Sequence, residues 1–307
     1  MRVVFLGNDP WSVASVEALA SSAHDLTLVV TRDPRPAGRR GDLRPTAVAD
    51  AARALGLNLL ETPTVKRDAG LDAIRSQEPD VMAVVAYGEI LPAEVLDVPR
   101  VAPVNVHFSV LPALRGADPV RRAILEALQE TGVTTMRMDE GMDTGPILLQ
   151  ATETIRPEDD GGSLGERLAA VGGELLVRTL DGLESGEVTE LPQDHALATM
   201  APKLKAEDEW IDWTEPAERV WRRVRALAPD PGVRTRFRGR VVKVVRATLG
   251  EGTGDAGGVL EASNERLLVA AGDGAVNLEE VVPEGRKRMT GVEFARGQRP
   301  SPDERFG

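Results

Sequence analysis

The chain has 307 residues, a formal net charge of −12 and no cysteine. That length suggests about two domains. The missing cysteine excludes a disulfide framework and thiolate chemistry, and no apolar run approaches the roughly 20 residues of a membrane span, so a cytoplasmic chain with no membrane partner is expected. The acidic total argues against a nucleic-acid partner. Its distribution argues the other way, because residues 219–246 hold ten Lys and Arg against Asp230 alone. Such a segment is either a solvated charged face or a polyanion surface.

Arg2–Leu6 reads as a buried strand ending at Gly7, followed by a helix over about Trp11–Ser21 and a second strand at Leu26–Thr31. This opens a βαβ unit. Gly7 stands without the further glycines of Gly-x-Gly-x-x-Gly, so a nicotinamide nucleotide is not indicated. Asp33–Pro45 carries three Pro, two Gly and four Arg and predicts an exposed loop. Helices are expected over Thr46–Leu55 and Asp68–Gln77, with a short strand at Leu57–Leu60 between them. Val81–Val85 is apolar throughout, as a central parallel strand is, and Tyr87–Pro92 follows at its carboxyl end.

The stretch from Val101 to Gly145 holds the candidate chemistry. Val101–Val106 predicts a strand, and alternation puts Asn105 and His107 on one face where the strand meets its loop. A helix is expected over Asp118–Leu128 and a strand over Val133–Met138. The acidic loop Asp139–Gly145 is then free to curl back. A lone strand-end histidine is more often a packed residue than a catalyst. A neighbouring amide and a nearby carboxylate change that: together they suit oxyanion stabilisation and proton transfer at an acyl carbon. The residues alone do not choose among Asp139, Glu140 and Asp143. Extended structure at Pro146–Ile155 and a long helix over Gly162–Glu184 follow, and the pattern loosens over Gly186–Lys205. After a helix at Pro216–Leu227 come five β-rich runs separated by Gly: Val233–Phe237, Arg240–Ala247, Gly258–Ala262, Arg266–Ala271 and Ala275–Val282. Their spacing suggests a small barrel. Period two would put Arg234, Arg236, Arg238 and Arg240 on one face of it, with Arg236 and Arg238 as phosphate contacts.

The segments NVHFSVLPALRGADP and GVTTMRMDEGMDTGPIL resemble the folate-dependent formyltransferases, most closely the members whose acceptor is methionyl initiator tRNA. The shared pattern is Asn-x-His, Ser-Leu-Leu-Pro, Arg-Gly-Ala-x-Pro and Met-Asp-x-Gly-x-Asp-x-Gly, with departures here at Phe108, Val110 and Ala113. The resemblance covers nearly the whole chain. It implies an α/β enzyme with a Rossmann-like parallel-sheet catalytic domain over residues 1–200 and an OB-like β-barrel that binds tRNA over 208–307. It assigns catalysis to Asn105, His107 and Asp143. Folate contacts fall on Tyr87, Gly88, Ile90, Leu91, Ser109, Leu111, Pro112, Asp139 and Gly141. Pro36-Ala37-Gly38-Arg39 matches a loop that reaches the tRNA acceptor end, which assigns Arg39, with Arg40 beside it, to tRNA. The implied co-substrate is 10-formyltetrahydrofolate, the acceptor is methionyl initiator tRNA, no metal is required, and a monomer is expected. The rival readings are formylation of an amino sugar nucleotide or another small amine, and a non-catalytic RNA-binding protein.

Overall fold

A computed structural model describes residues 1–37 and 42–307. The chain forms two compact units. The first comprises Met1–Pro119, Glu130–Thr154 and Gly165–Pro202; the second gathers Val120–Gln129, Ile155–Leu164 and Lys203–Gly307. Along the chain run β1 (Arg2–Gly7), α1 (Val13–Ala20), β2 (Asp25–Thr31), β3 (Arg35–Ala37), β4 (Asp42–Arg44), α2 (Ala47–Ala54), β5 (Leu59–Glu61), α3 (Asp68–Arg75), β6 (Val81–Val85), α4 (Ala93–Leu96) and β7 (Ala102–His107). Then come α5 (Pro119–Leu125), β8 (Glu130–Arg137), β9 (Ile147–Thr154), α6 (Gly161–Ser185), α7 (Ala217–Leu227), β10 (Val233–Phe237), β11 (Arg240–Gly250), β12 (Val259–Ala262), β13 (Leu267–Ala270), β14 (Ala275–Pro283), β15 (Met289–Thr290) and α8 (Gly291–Gln298). Among the described residues no helix is long and apolar enough to cross a membrane.

The first unit is built on a seven-stranded sheet of order β5-β2-β1-β6-β7-β8-β9. The five strands from β5 to β7 are parallel and doubly wound about β1, which bears out the Rossmann-like expectation. Val3–Leu6 and Val81–Val85 are buried throughout, as strands covered on both faces must be. On one face Val84, Met82 and Val30 join Leu71 and Ile74 of α3 and Val95 of α4 in one cluster. On the other face lies α6. It approaches β7 closely because Gly172 has no side chain: a Cβ there would stand 3.0 Å from Val106 and 3.3 Å from Phe108. Val106 and Phe108 thus face α6, and alternation turns Asn105 and His107 to the opposite face. Phe108 packs edge-on against Trp11, with ring centroids 6.0 Å apart. The departure at Phe108 is therefore a packing feature of the helix face and does not enter the histidine's surroundings.

β8 and β9 run antiparallel. His107 pairs with Thr134 and Val104 with Arg137, so β8 begins beside the end of β7. The chain between them returns to the same end of the sheet, without the crossover that a parallel neighbour needs. The loop after β8 consequently leaves from the far end, where Met138 N donates to Pro103 O at 2.8 Å. The loop expected over Asp33–Pro45 instead contains a ribbon, β3 pairing, among the described residues, with β4 alone through Arg35–Arg44, Pro36–Leu43 and Ala37–Asp42. Its two arms satisfy each other's backbone groups, which an extended segment off the main sheet must otherwise leave to water.

The second unit holds an antiparallel sheet of order β10-β11-β14-β13-β12, with β15 on β14. The β10–β11 turn is Arg238-Gly239, with φ of 50° and 74°, both positive as a tight two-residue hairpin turn requires. Both edge strands pair with the chain's last residues. Arg236 N donates to Gly307 O at 2.7 Å, and Val259 N donates to Glu304 O at 3.1 Å. Phe237, Phe294 and Phe306 stack within 6.1 Å of one another and Trp213 lies 6.2 Å from Phe306, so the scarce aromatics concentrate in this core. β15 and α8 were not expected from the sequence.

Candidate active site

β7 ends in two polar side chains of different character. Asn105 is half-buried between Val84 and Met136, and its carboxamide has no hydrogen-bond partner among the described residues. His107 is 6% exposed, and its Nε2 lies 2.9 Å from Leu114 O. A carbonyl only accepts, so Nε2 carries the proton in that bond. Nδ1 is left facing Asp143, 3.7 Å from Oδ2. That separation is beyond a hydrogen bond and leaves the nitrogen able to exchange protons.

The loop from Phe108 to Asp118 is held by specific bonds. Ser109 Oγ donates to Ala113 O at 2.6 Å, and Leu111 N donates to Thr134 Oγ1 at 3.0 Å. Leu114 adopts φ 59°, with its N–H donating to Thr199 Oγ1 at 2.9 Å. Gly116 adopts φ 120°, and a Cβ there would meet Ala201 O at 2.7 Å, so only glycine fits. The Gly116 N–H donates to Asp143 Oδ2 at 2.7 Å. This bond and the proximity of His107 settle the geometry that the sequence left open. Asp143, itself at φ 53°, reaches the histidine. Asp139 turns into its own loop, accepting from Gly141 N at 3.0 Å and Thr144 Oγ1 at 2.7 Å.

Two features here were invisible in the sequence reading. Gln193 donates to Asp143 O and Gly145 O and accepts from Arg115, while Arg115, 5% exposed, also contacts His195 Nδ1 at 3.1 Å. Asn8, after β1, donates to Tyr87 O and accepts from Thr31 Oγ1 and from Arg32 N. It ties together the carboxyl ends of β1, β2 and β6. An apolar or loop-like neighbourhood in sequence gave neither residue a signal.

The other expected site residues are scattered more widely. Tyr87 is 2% exposed, its hydroxyl has no hydrogen-bond partner among the described residues, and burial, with Glu89 nearby, pushes its phenol up. Gly88 O accepts from Arg32 at 2.8 Å, Leu91 is buried, and Ile90 is exposed. Leu111 is buried against Met136 and Ile147, and Pro112 O accepts from Thr199 N at 3.4 Å. A cleft of about 680 Å³ is lined by Ala93, Leu96, Pro103, Met138, Asp139 and Gly141 among others; Asn105, His107 and Asp143 do not line it.

The basic residues depart from expectation. Arg39 and Arg40 lie outside the described residues. Arg236 is exposed and stacks over Trp210, 4.9 Å from the ring centroid. Arg238 sits in the hairpin turn, so the alternation that would align it with Arg236 ends at Phe237. Its guanidinium is taken by Glu304, at 2.5 and 2.7 Å, and by Gln298 O at 3.0 Å. That hydrogen bonding holds the Glu304 carboxyl down at about 2. Arg234, Arg246 and Lys243 are likewise paired, with Glu209, Glu279 and Asp230.

Comparison with known proteins supplies the remaining observations. The family profile described as Formyl transferase matches residues 1–180, and that described as Formyl transferase, C-terminal domain, matches residues 203–299. Methionyl-tRNA formyltransferase of Thermobifida fusca is 43% identical over 311 residues, covering 100% of this chain and 99% of that one. Its counterpart from Solibacter usitatus is 41% identical over 309 residues, with the same coverage, 100% and 99%. Among solved structures, HypX from Aquifex aeolicus in complex with tetrahydrofolic acid shares the fold, with TM-score 0.66 and 19% identity. The match covers 96% of this chain and 47% of HypX.

Proposed function

The chain belongs to the formyl transferase family and, within it, to the methionyl-tRNA formyltransferases; from that premise we propose that it moves the formyl group of 10-formyltetrahydrofolate to the α-amino group of methionyl initiator tRNA. The observation that carries the reading is the approach of Asp143 to His107 beside the unpartnered Asn105 amide. An α-amine, with a pKa of roughly 7.7–8, offers a neutral nucleophile near pH 7. As it adds to the formyl carbon, negative charge grows on the formyl oxygen, and the Asn105 amide and a protonated His107 supply donors to it. The new ammonium then loses a proton and folate N10 gains one as its bond to the formyl carbon breaks. His107 and Asp143 form the relay for that proton. With Nε2 committed to Leu114 O, Nδ1 is the nitrogen that exchanges it.

The same proposal gives residues 1–200 the chemistry and 208–307 the tRNA. Tyr87, Gly88, Ile90, Leu91, Ser109, Leu111, Pro112, Asp139 and Gly141 are read as folate contacts. The unsatisfied Tyr87 hydroxyl and the cleft beside Asp139 and Gly141 support this. For tRNA the reading shifts away from Arg238, which is engaged, toward Arg236, Arg240, Arg286 and Lys287. These four are exposed and have no carboxylate partner among the described residues. Arg39 and Arg40 remain assigned to the acceptor end. Action as a cytoplasmic monomer completes the proposal.

Acceptor choice tests it. The purified chain, supplied with 10-formyltetrahydrofolate, is given methionyl initiator tRNA, an amino sugar nucleotide or water alone. Rapid formylation of the tRNA alone is expected. Preferential formylation of the sugar nucleotide, or release of formate at the same rate without an amine, contradicts the assignment.

A further inference from the structure

We propose that Gln193 is the positioning residue for Asp143, setting the carboxylate against His107 through the loop backbone; this rests on the reading of Asp143 as the partner of His107. Gln193 is 7% exposed, and its carboxamide uses its whole hydrogen-bonding capacity. Its oxygen accepts from Arg115 Nε at 3.1 Å and Nη2 at 2.6 Å. Its nitrogen donates to Asp143 O at 2.9 Å and to Gly145 O at 2.7 Å. The two ends are chemically fixed, because a flipped amide would set donors against a guanidinium and an acceptor against two carbonyls.

The bonds to Asp143 O and Gly145 O grip the backbone at and just after a residue in left-handed conformation, φ 53° at Asp143. A non-glycine residue is strained there and persists only where its surroundings over-determine it. The side chain thrown inward by that conformation is the one that accepts from Gly116 N and faces His107 Nδ1. Arg115, on the neighbouring residue of the same loop as Gly116, is gripped by the other end of the same amide. Gln193 therefore fixes both strands of chain that define the position of the carboxylate.

The test is Gln193→Glu. It keeps the shape and the attraction to Arg115, yet turns two donors into acceptors facing carbonyls. A displacement of Asp143 by about 1 Å is worth on the order of 10²-fold in kcat, with the donor KM little changed. In an Asp143→Ala background the same substitution should lower kcat by less than about threefold, because its route of action is already gone. Amide hydrogen exchange supplies a readout that needs no turnover. The Gly116 N–H should lose protection in Gln193→Glu, as it should in Asp143→Ala, while Leu111 N–H, bonded to Thr134, should keep its own. Gln193→Met, which removes the same bonds without a charge, is measured alongside and should give the same pattern if the glutamate variant fails to fold. Equal losses of kcat in both backgrounds, or an unchanged Gly116 amide, overturn the proposal. A wild-type chain that formylates no acceptor sinks the functional reading instead, and the Gly116 amide still decides the role of Gln193.

Discussion

The loop around His107 and the basic sheet of the second unit are built on opposite principles. Around His107 the polar groups are few, buried and bonded mostly to backbone: Leu114 O, Gly116 N and Gly145 O each have one defined partner. On the basic sheet the charges are many, exposed and bonded mostly to one another's opposites, as with Arg238 and Glu304 or Arg246 and Glu279. Buried bonds of the first kind fix geometry, because leaving any one unmade costs about 1–3 kcal/mol. Exposed pairs of the second kind contribute little to stability and cancel much of the local field. A charge count along the sequence therefore overstates the surface available to a polyanion, whereas the one histidine and one amide at the end of β7 understate how strongly their site is organised.

The largest effect should come from the buried side. His107→Ala is expected to lower formyl transfer by roughly 10²–10⁴-fold, the range for an acid–base or oxyanion group, while costing the fold only the about 1–3 kcal/mol of leaving Leu114 O unbonded. A near-normal rate measured at saturating donor would show that the site's order serves something other than the reaction. Next comes Gly116→Ala. It places a Cβ 2.7 Å from Ala201 O at φ 120° and should destabilise the chain by about 1–3 kcal/mol in urea unfolding. A neutral result would mean that the 193–201 segment yields easily, against the picture of a rigid clamp.

The exposed side should respond more weakly and more selectively. Arg236→Gln should make the slope of log K against log salt for tRNA shallower by about 0.9, one phosphate's share. Arg238→Gln should leave that slope unchanged, since its guanidinium is held by Glu304. Identical shifts in both variants would show that the ion pair opens on binding. The smallest effect concerns acid. The Glu304 carboxyl is held at about 2, below its unfolded value near 4.3, so its pairing stabilises the fold above that value and is lost as pH falls through about 2. The gap in melting temperature between the wild type and Glu304→Gln should be present at neutral pH and close over that interval. A gap independent of pH would locate the effect in packing.

Much of the architecture was legible because it follows from local pattern. Val81–Val85 and Val233–Phe237 emerge as strands with the expected limits, and the two faces of β7 follow from alternation alone. What escaped depended on partners distant in sequence or on turns that interrupt a period. The antiparallel course of β8 is set by where the chain returns, which no apolar run reveals. Arg238 broke the expected row because the hairpin turn takes two residues, Arg238 and Gly239, out of the alternation. α8 carries a local signal: Thr290 and Glu293 form a reciprocal cap three residues apart. Gln193 had none, since its bonds run to carbonyls some fifty residues back in the chain. The choice of Asp143 over Asp139 came from the resemblance and acquired a physical reason only when the loop was seen to fold back.

That choice is also where the account is most directly exposed. Single-turnover formyl transfer to methionyl initiator tRNA, at saturating donor, can be measured side by side for Asp143→Asn and Asp139→Asn. Asp143→Asn removes the charge facing His107 and should slow transfer on the order of 10²-fold. Asp139→Asn keeps an oxygen to accept from Gly141 and Thr144 and should slow transfer by no more than about threefold. A larger loss in Asp139→Asn, or a near wild-type rate in Asp143→Asn, would contradict the pairing of Asp143 with His107 on which the mechanism depends.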